Sequence, residues 1–243
     1  VALFWIVLVG AIVLTIHIFY GEVVAATPGK HRLPGYVGRV LGKHAKQITL
    51  ITEVVRFWGL QIAYLIVGGT FLSLLFSPVF GGTPFIYSMV LFGCVAVSTF
   101  FGLRLVDRIE FYLTWLLIFA LALITSSGLQ NIDWRNFLPY GGAGFFSPYG
   151  VIMVSLAGAA AIPEIWDITK RNRRIFRASV IVGTIIPVVV TALFAFAVVG
   201  VSGLRTSQEA IAGLHGLLGS GIVLIGTVGG FLAIITSYLV IAL

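Results

Sequence analysis

Seven apolar runs, each long enough to cross a lipid bilayer as a helix, constrain this chain more than any other feature. A hydrocarbon core of roughly 30 Å takes about 20 largely apolar helical residues. Runs of that order occupy residues 1–27, 48–77, 85–105, 109–128, 148–169, 175–200 and 219–243. They are too long and too continuously apolar for barrel strands, which alternate apolar and polar over about ten residues. With 59% hydrophobic and only 9% charged residues, the chain lacks the polar surface a water-soluble domain needs. The expected class is an all-α polytopic membrane protein with one transmembrane domain over residues 1–243. Both ends fall inside apolar runs and no initiator Met is present, so the sequence reads as a piece truncated at each end.

The formal charge of +7 does not point to nucleic acid, because the basic residues lie in short connections between apolar runs. Their distribution sets orientation instead. Lys30, Arg32, Arg39, Lys43 and Lys46 fall in the first connection (28–47), Arg104 and Arg108 in the third (104–108), and Lys170, Arg171, Arg173, Arg174 and Arg177 in the fifth (170–177). The second connection has none, and the fourth and sixth have only Arg135 and Arg205. The bias puts the odd connections in the cytoplasm and residue 1 on the outer side. Two connections are long enough for helices of their own: LPGYVGRVLGKHAK, and TSQEAIAGLHGLLG, where Thr206 or Ser207 could cap a helix with Glu209 in its first turn. Cys94 is the single cysteine, which rules out an internal disulfide and a cysteine-based metal site.

The run SPYGVIMVSLAGAAAIPEIWDI at 148–169 differs from the others. Small residues crowd its middle (Ser155, Ala157, Gly158, Ala159, Ala160 and Ala161), and Pro163 follows. One reading is a continuous helix, closely packed through its small residues and kinked at the proline. The other is a discontinuous helix that unwinds near Gly158 and restarts with Pro163 in its first turn, where a missing amide donor costs nothing. Unwinding at mid-membrane would free backbone amides and carbonyls, and a half-helix N-terminus favours an anionic group such as a carboxylate.

In the last run, Ala233, Thr236 and Ser237 place a carbonyl and two hydroxyls within about one turn. Such hydroxyls commonly bond back to a carbonyl of their own helix. They also form a hard oxygen set that suits Na⁺. Gln61 and Tyr64, deep in the second run, are candidates to face a cavity, with packing between helices as the alternative for Tyr64. His17 reads as a buried histidine bonded to a neighbour. No HExxH, GxSxG or GxxxxGK[ST] pattern occurs, so an enzyme is not expected.

The stretches YGEVVAATPG (20–29), LPGYVGRVLG (33–42), IAYLIVGGTFL (62–72), AAIPEIW (160–166) and AIITSYL (233–239) together resemble the amino acid transporters of the amino acid, polyamine and organocation superfamily. Within it the chain is most similar to the amino acid and auxin permease branch and the aromatic amino acid permeases. The resemblance implies a leucine-transporter-like fold of two inverted five-helix repeats, with the seven runs as its second to eighth helices. It also implies alternating access with an amino acid substrate, aromatic or neutral, at an unwound stretch of Ser155, Leu156, Ala157, Gly158 and Ala159. Coupling would be to Na⁺ or H⁺, with Na⁺ held by Ala233, Thr236 and Ser237. The run 109–128 carries no Lys beyond its start to stand in that cavity, as proton-coupled relatives can have, which favours sodium. Related permeases tend to carry Gly at the place of Ala157 and His at that of Ala159, and this sequence departs from both. No other cofactor and no nucleic acid partner is implied. A channel would need a continuous polar lining, and a non-transporting scaffold or receptor would have no use for the small-residue interruption.

The orientation is checked with single cysteines in a Cys94-free protein. An impermeant thiol reagent applied to intact cells should label Gly81→Cys and Arg135→Cys and leave Lys43→Cys and Arg173→Cys untouched. The reverse pattern would invert the topology.

Overall fold

The computed structural model describes residues 1–101, 103–137, 144–207, 210, 211, 214 and 219–242, with backbone alone for 98–101, 103–110 and 239–242. Among them are nine α-helices and no strand: α1 (Ala2–Ala26), α2 (Leu33–Leu41), α3 (Lys43–Phe80), α4 (Pro84–Phe101), α5 (Leu103–Gln130), α6 (Ser147–Ser155), α7 (Ile162–Ile168), α8 (Arg173–Ser202) and α9 (Ser220–Ala242). Six stretches of the described residues are long and apolar enough to cross a membrane, and Pro84–Val97 forms a shorter apolar helix.

The helix boundaries follow local chemistry. Pro34 stands in the first turn of α2, where its missing amide is harmless, and Gly42 ends that helix at φ +88. α3 starts at Lys43 instead of the expected 48, so the end of the first connection is helical. Its 38 residues reach roughly 57 Å at 1.5 Å each, well beyond one hydrocarbon core. The expected loop at 104–108 is likewise helical, because α5 begins at Leu103. Charged side chains are tolerated on a helix end that extends past the apolar layer. At the head of α8, the Asn172 side-chain oxygen accepts the amides of Arg174 (3.1 Å) and Ile175 (3.2 Å), an N-cap. The helix expected after Thr206 lies largely outside the described residues, Glu209 included. The Thr206 hydroxyl donates to the Gly203 carbonyl at 2.6 Å and so closes the turn before it.

The chain divides into two compact units. The first comprises Val1–Glu53 and Pro139–Phe196. In it α1 packs against α6 and α7 through a stripe at turn spacing: Val9, Val13, His17, Gly21 and Val24 are all buried. At one end Trp5, Ile6, Val9 and Val13 cluster with Ile152 and Leu156. The Trp5 indole there donates to the Phe145 carbonyl at 2.6 Å. At the other end Val24 joins Tyr36, Ile162, Phe176 and Val180. Lys30 also pairs with Asp167 at 2.8 Å.

The second unit comprises Val54–Leu138 and Ala197–Leu243. Here α9 lies along α5 and also meets α4, and glycines let the backbones approach. Cβ atoms added at Gly229 and Gly230 would run into Ala120 (2.7 Å) and the Phe71 ring. Lipid supplies no hydrophobic drive between helices, so such close van der Waals packing is what holds them. The tightest place is Gly69 on α3, where a Cβ would collide with the Ser88 hydroxyl and come within 2.8 Å of both the Pro84 carbonyl and the Ser88 amide. The Ser88 hydroxyl donates across this contact to the Leu65 carbonyl at 3.0 Å.

Gly69→Ala should therefore destabilise the protein, because backbone atoms cannot yield as a flexible side chain could; overpacking of this kind costs about 1–3 kcal/mol. Gly59→Ala on the same helix meets nothing within 4 Å and should be neutral or stabilising by up to about 1 kcal/mol. Thermal unfolding of the two variants in detergent measures the contrast, and equal midpoints would contradict the packing described.

Candidate functional site

The interruption of the fifth membrane-length stretch is a built feature of the first unit. α6 ends at Ser155 and a 3₁₀ turn occupies Ala159–Ala161. α7 then starts with Ile162 and carries Pro163 and Glu164 in its first turn. Of the two readings the sequence allowed, the discontinuous helix is the one present. Each flank is anchored: Ile152 and Leu156 in the cluster around Trp5, and Ile162 in the cluster around Val24.

Between the anchors the backbone is left unpaired. The Leu156 amide still bonds to the Ile152 carbonyl (3.1 Å) and the Ala157 amide to that of Val154 (3.3 Å). The Ala161 amide bonds to the Gly158 carbonyl (3.1 Å). Among the described residues, the amide of Gly158 and the carbonyls of Leu156 and Ala157, all outside the helices, have no backbone partner. Ala157, Gly158 and Ala160 are exposed and Ala159 is half-buried. The Ser155 hydroxyl turns back to the Ile152 carbonyl at 2.9 Å. The result is a short stretch of freed backbone, bare of large side chains apart from the inward Leu156.

Gly158 sits at φ −108, ψ 14, a conformation open to any residue. Among the described residues a Cβ there would meet only Cε1 of His17, at an ordinary 3.6 Å. Neither backbone strain nor packing within the chain demands glycine at this position.

His17 is the polar member of the α1 stripe and comes level with the break. It is 5% exposed, and its Nδ1 lies 2.9 Å from the Thr184 hydroxyl oxygen on α8. That hydroxyl donates its own hydrogen to the Val180 carbonyl at 2.8 Å. The sequence marks His17 as a buried, bonded histidine. Its neighbours were not legible, because Thr184 lies 167 positions away and has no distinguishing local pattern.

The remaining candidates belong to the second unit. Tyr64 is half-buried and packs, with Leu65 and Leu72, onto Leu91, Val95 and Tyr238. Gln61 is half-buried three residues before it on α3. On α9 the buried Thr236 hydroxyl donates to the carbonyls of Leu232 and Ala233, each at 3.0 Å. The carbonyl and hydroxyl expected to share an ion are thus bonded to each other, and the hydroxyl keeps its lone pairs for a cation. Ser237 is half-buried on the next position. All three groups are hard oxygens, as Na⁺ requires, and they would fill part of its shell. Among the described residues there is no group of three His, Cys, Asp or Glu side chains to hold a metal ion. The structure brings Ser155, Leu156, Ala157, Gly158 and Ala159 together with His17. It places Gln61, Tyr64, Ala233, Thr236 and Ser237 in the other unit.

Comparison with known protein families matches residues 1–243 to the tryptophan/tyrosine permease family. No curated protein and no solved structure matches the chain. A permease family together with six membrane-length helices points to a multi-pass membrane protein of amino acid transport rather than to an enzyme. Since the match runs from the first residue to the last, the chain belongs to the tryptophan/tyrosine permease family.

Proposed function

We propose that this protein is a secondary carrier of aromatic amino acids that works by alternating access and binds its substrate at the break between α6 and α7. The observation that carries this reading is the interruption itself. Lipid forces backbone groups to pair within their own helix, yet the Gly158 amide and the Leu156 and Ala157 carbonyls stand unpaired at the middle of an apolar stretch long enough to span. A zwitterionic amino acid has the complementary ends: its carboxylate accepts from the amide of Gly158, and its ammonium donates to the carbonyls of Leu156 and Ala157. Gln61 and Tyr64 are assigned to the substrate pathway on the same reading. The superfamily resemblance, the leucine-transporter-like fold and the cytoplasmic placement of residues 28–47, 104–108 and 170–177 belong to the same proposal. Tryptophan and tyrosine enter as substrates from the family description.

Gly158→Leu tests the binding site. A Cβ at Gly158 makes only an ordinary 3.6 Å contact with Cε1 of His17, so the protein should insert and accumulate normally while substrate binding is lost. Wild-type affinity in this variant, measured by equilibrium binding to the full-length protein, would exclude a site at the break.

The coupling ion is assigned as Na⁺, with Ala233, Thr236 and Ser237 as ligands. Removing one hydroxyl leaves a desolvated cation short of a ligand, worth about 1–3 kcal/mol. Thr236→Val should then weaken Na⁺ roughly 5-fold to 150-fold. Linkage is reciprocal, so substrate affinity at fixed sodium should fall as well and recover partly at saturating sodium. Uptake in the wild type that follows a proton gradient and ignores sodium would refute the assignment. An unchanged sodium dependence in Thr236→Val would leave that hydroxyl with its helix carbonyls alone.

A further inference from the structure

We infer that His17 is the specificity-determining residue of the substrate site, accepting through Nε2 the single N–H or O–H donor on the aromatic side chain of tryptophan or tyrosine. The inference rests on the reading that substrate binds at the α6–α7 break. The tautomer follows from the bonding at Thr184. Its hydroxyl lies 2.8 Å from the Val180 carbonyl, and with the hydrogen placed there the oxygen accepts from His17. The hydrogen across the 2.9 Å contact therefore belongs to Nδ1 of His17. In the neutral ring Nε2 is then an acceptor, held in place by the bond on the opposite nitrogen.

That acceptor has no partner among the described residues, although the side chain carrying it is 95% buried. It is not sealed off, because every fully buried side-chain nitrogen or oxygen of the described residues has a hydrogen-bond partner. The ring edge carrying Cε1 faces the Cβ direction of Gly158 across 3.6 Å. Nε2 is bonded to Cε1 in the ring, and on this assignment a donor from outside the chain reaches it beside the unwound stretch.

The chemistry of the break selects the donor. Its free amide and carbonyls answer the carboxylate and ammonium common to all amino acids. What remains for His17 is a donor on the side chain. Indole and phenol each carry one, and a phenyl ring carries none. A site that leaves a buried acceptor unpaired with the wrong ligand discriminates far better than one that reads only shape. A single acceptor here separates tryptophan and tyrosine from phenylalanine, which a purely apolar pocket does poorly.

Three ligands are measured by competition binding to the full-length protein: tryptophan, its isostere with sulfur in place of the indole N–H, and phenylalanine. Wild type should hold tryptophan at least roughly fivefold more tightly than the sulfur isostere, the lower bound for an unmade buried polar contact. His17→Phe, which keeps a ring of similar shape and removes the acceptor, should bring that ratio close to one by weakening tryptophan alone. Equal binding of tryptophan and the isostere by wild type overturns the assignment, and needs no variant to fold. Equal losses of all three ligands in His17→Phe overturn it too, leaving His17 as a packing residue between α1 and α8. The underlying site is judged separately. Unimpaired tryptophan binding in Gly158→Leu removes the break as the site and this assignment with it, whereas impaired binding there with an unchanged ratio in His17→Phe removes the assignment alone.

Discussion

Hydrocarbon cannot hydrogen-bond a peptide group, and the architecture of this protein follows from that. Every stretch of chain placed in lipid must close its own N–H to C=O ladder, which leaves helices of about 20 residues as the economical solution for a chain so apolar. The same constraint reaches the side chains. Thr15, Thr49, Thr52, Thr70, Thr184, Thr227 and Thr236 all turn their hydroxyls back onto a carbonyl four residues earlier, so hydroxyls within apolar helices find a partner without help from another element.

Against this background the stretch 155–161 is costly, and the first unit is arranged to hold it. Ile152 and Leu156 on one side and Ile162 on the other are buried in separate clusters that share α1. The broken segments cannot simply rejoin into one helix without pulling an anchor out of its cluster. Pro163 adds a second barrier, because in a continuous helix it would delete a bond and crowd the turn before it. α7 has seven residues, too few for a strong helix dipole. The chemistry of the break therefore resides in its freed amide and carbonyls. His17 adds one directed acceptor, fixed by Thr184 at a point on α1 between the two anchors.

The second unit answers a different demand, close contact without a hydrophobic drive. Gly68 and Gly69 on α3 and Gly226, Gly229 and Gly230 on α9 stand where a neighbouring side chain or backbone fills the space a Cβ would take. These helical glycines serve close approach, and at single positions such as Gly69 even an added methyl is disfavoured although the backbone is ordinary helix.

Much of this was legible in the sequence, because the physics behind it is local. Run length and the absence of alternation determined helices, and Pro34, Gly42 and Pro163 marked starts and stops through backbone geometry confined to one or two residues. The small-residue centre before Pro163 narrowed the fifth run to a kink or a break, and both obey local rules; the anchoring of Leu156 and Ile162 on α1 decided for the break. Helix ends at Lys43 and Leu103 escaped the sequence because charged residues are compatible with either a loop or a helix that outlasts the apolar layer. Thr236 reads the same in sequence as an ion ligand or a back-bonded hydroxyl, and its 3.0 Å bonds to Leu232 and Ala233 are compatible with both. His17 shows the division most plainly. Composition and position determined that it would be buried and need a partner, whereas its tautomer and its edge toward Gly158 depend on Thr184 and on the course of α6 and α7. Those segments are far away in sequence, and only packing in three dimensions brings them to α1.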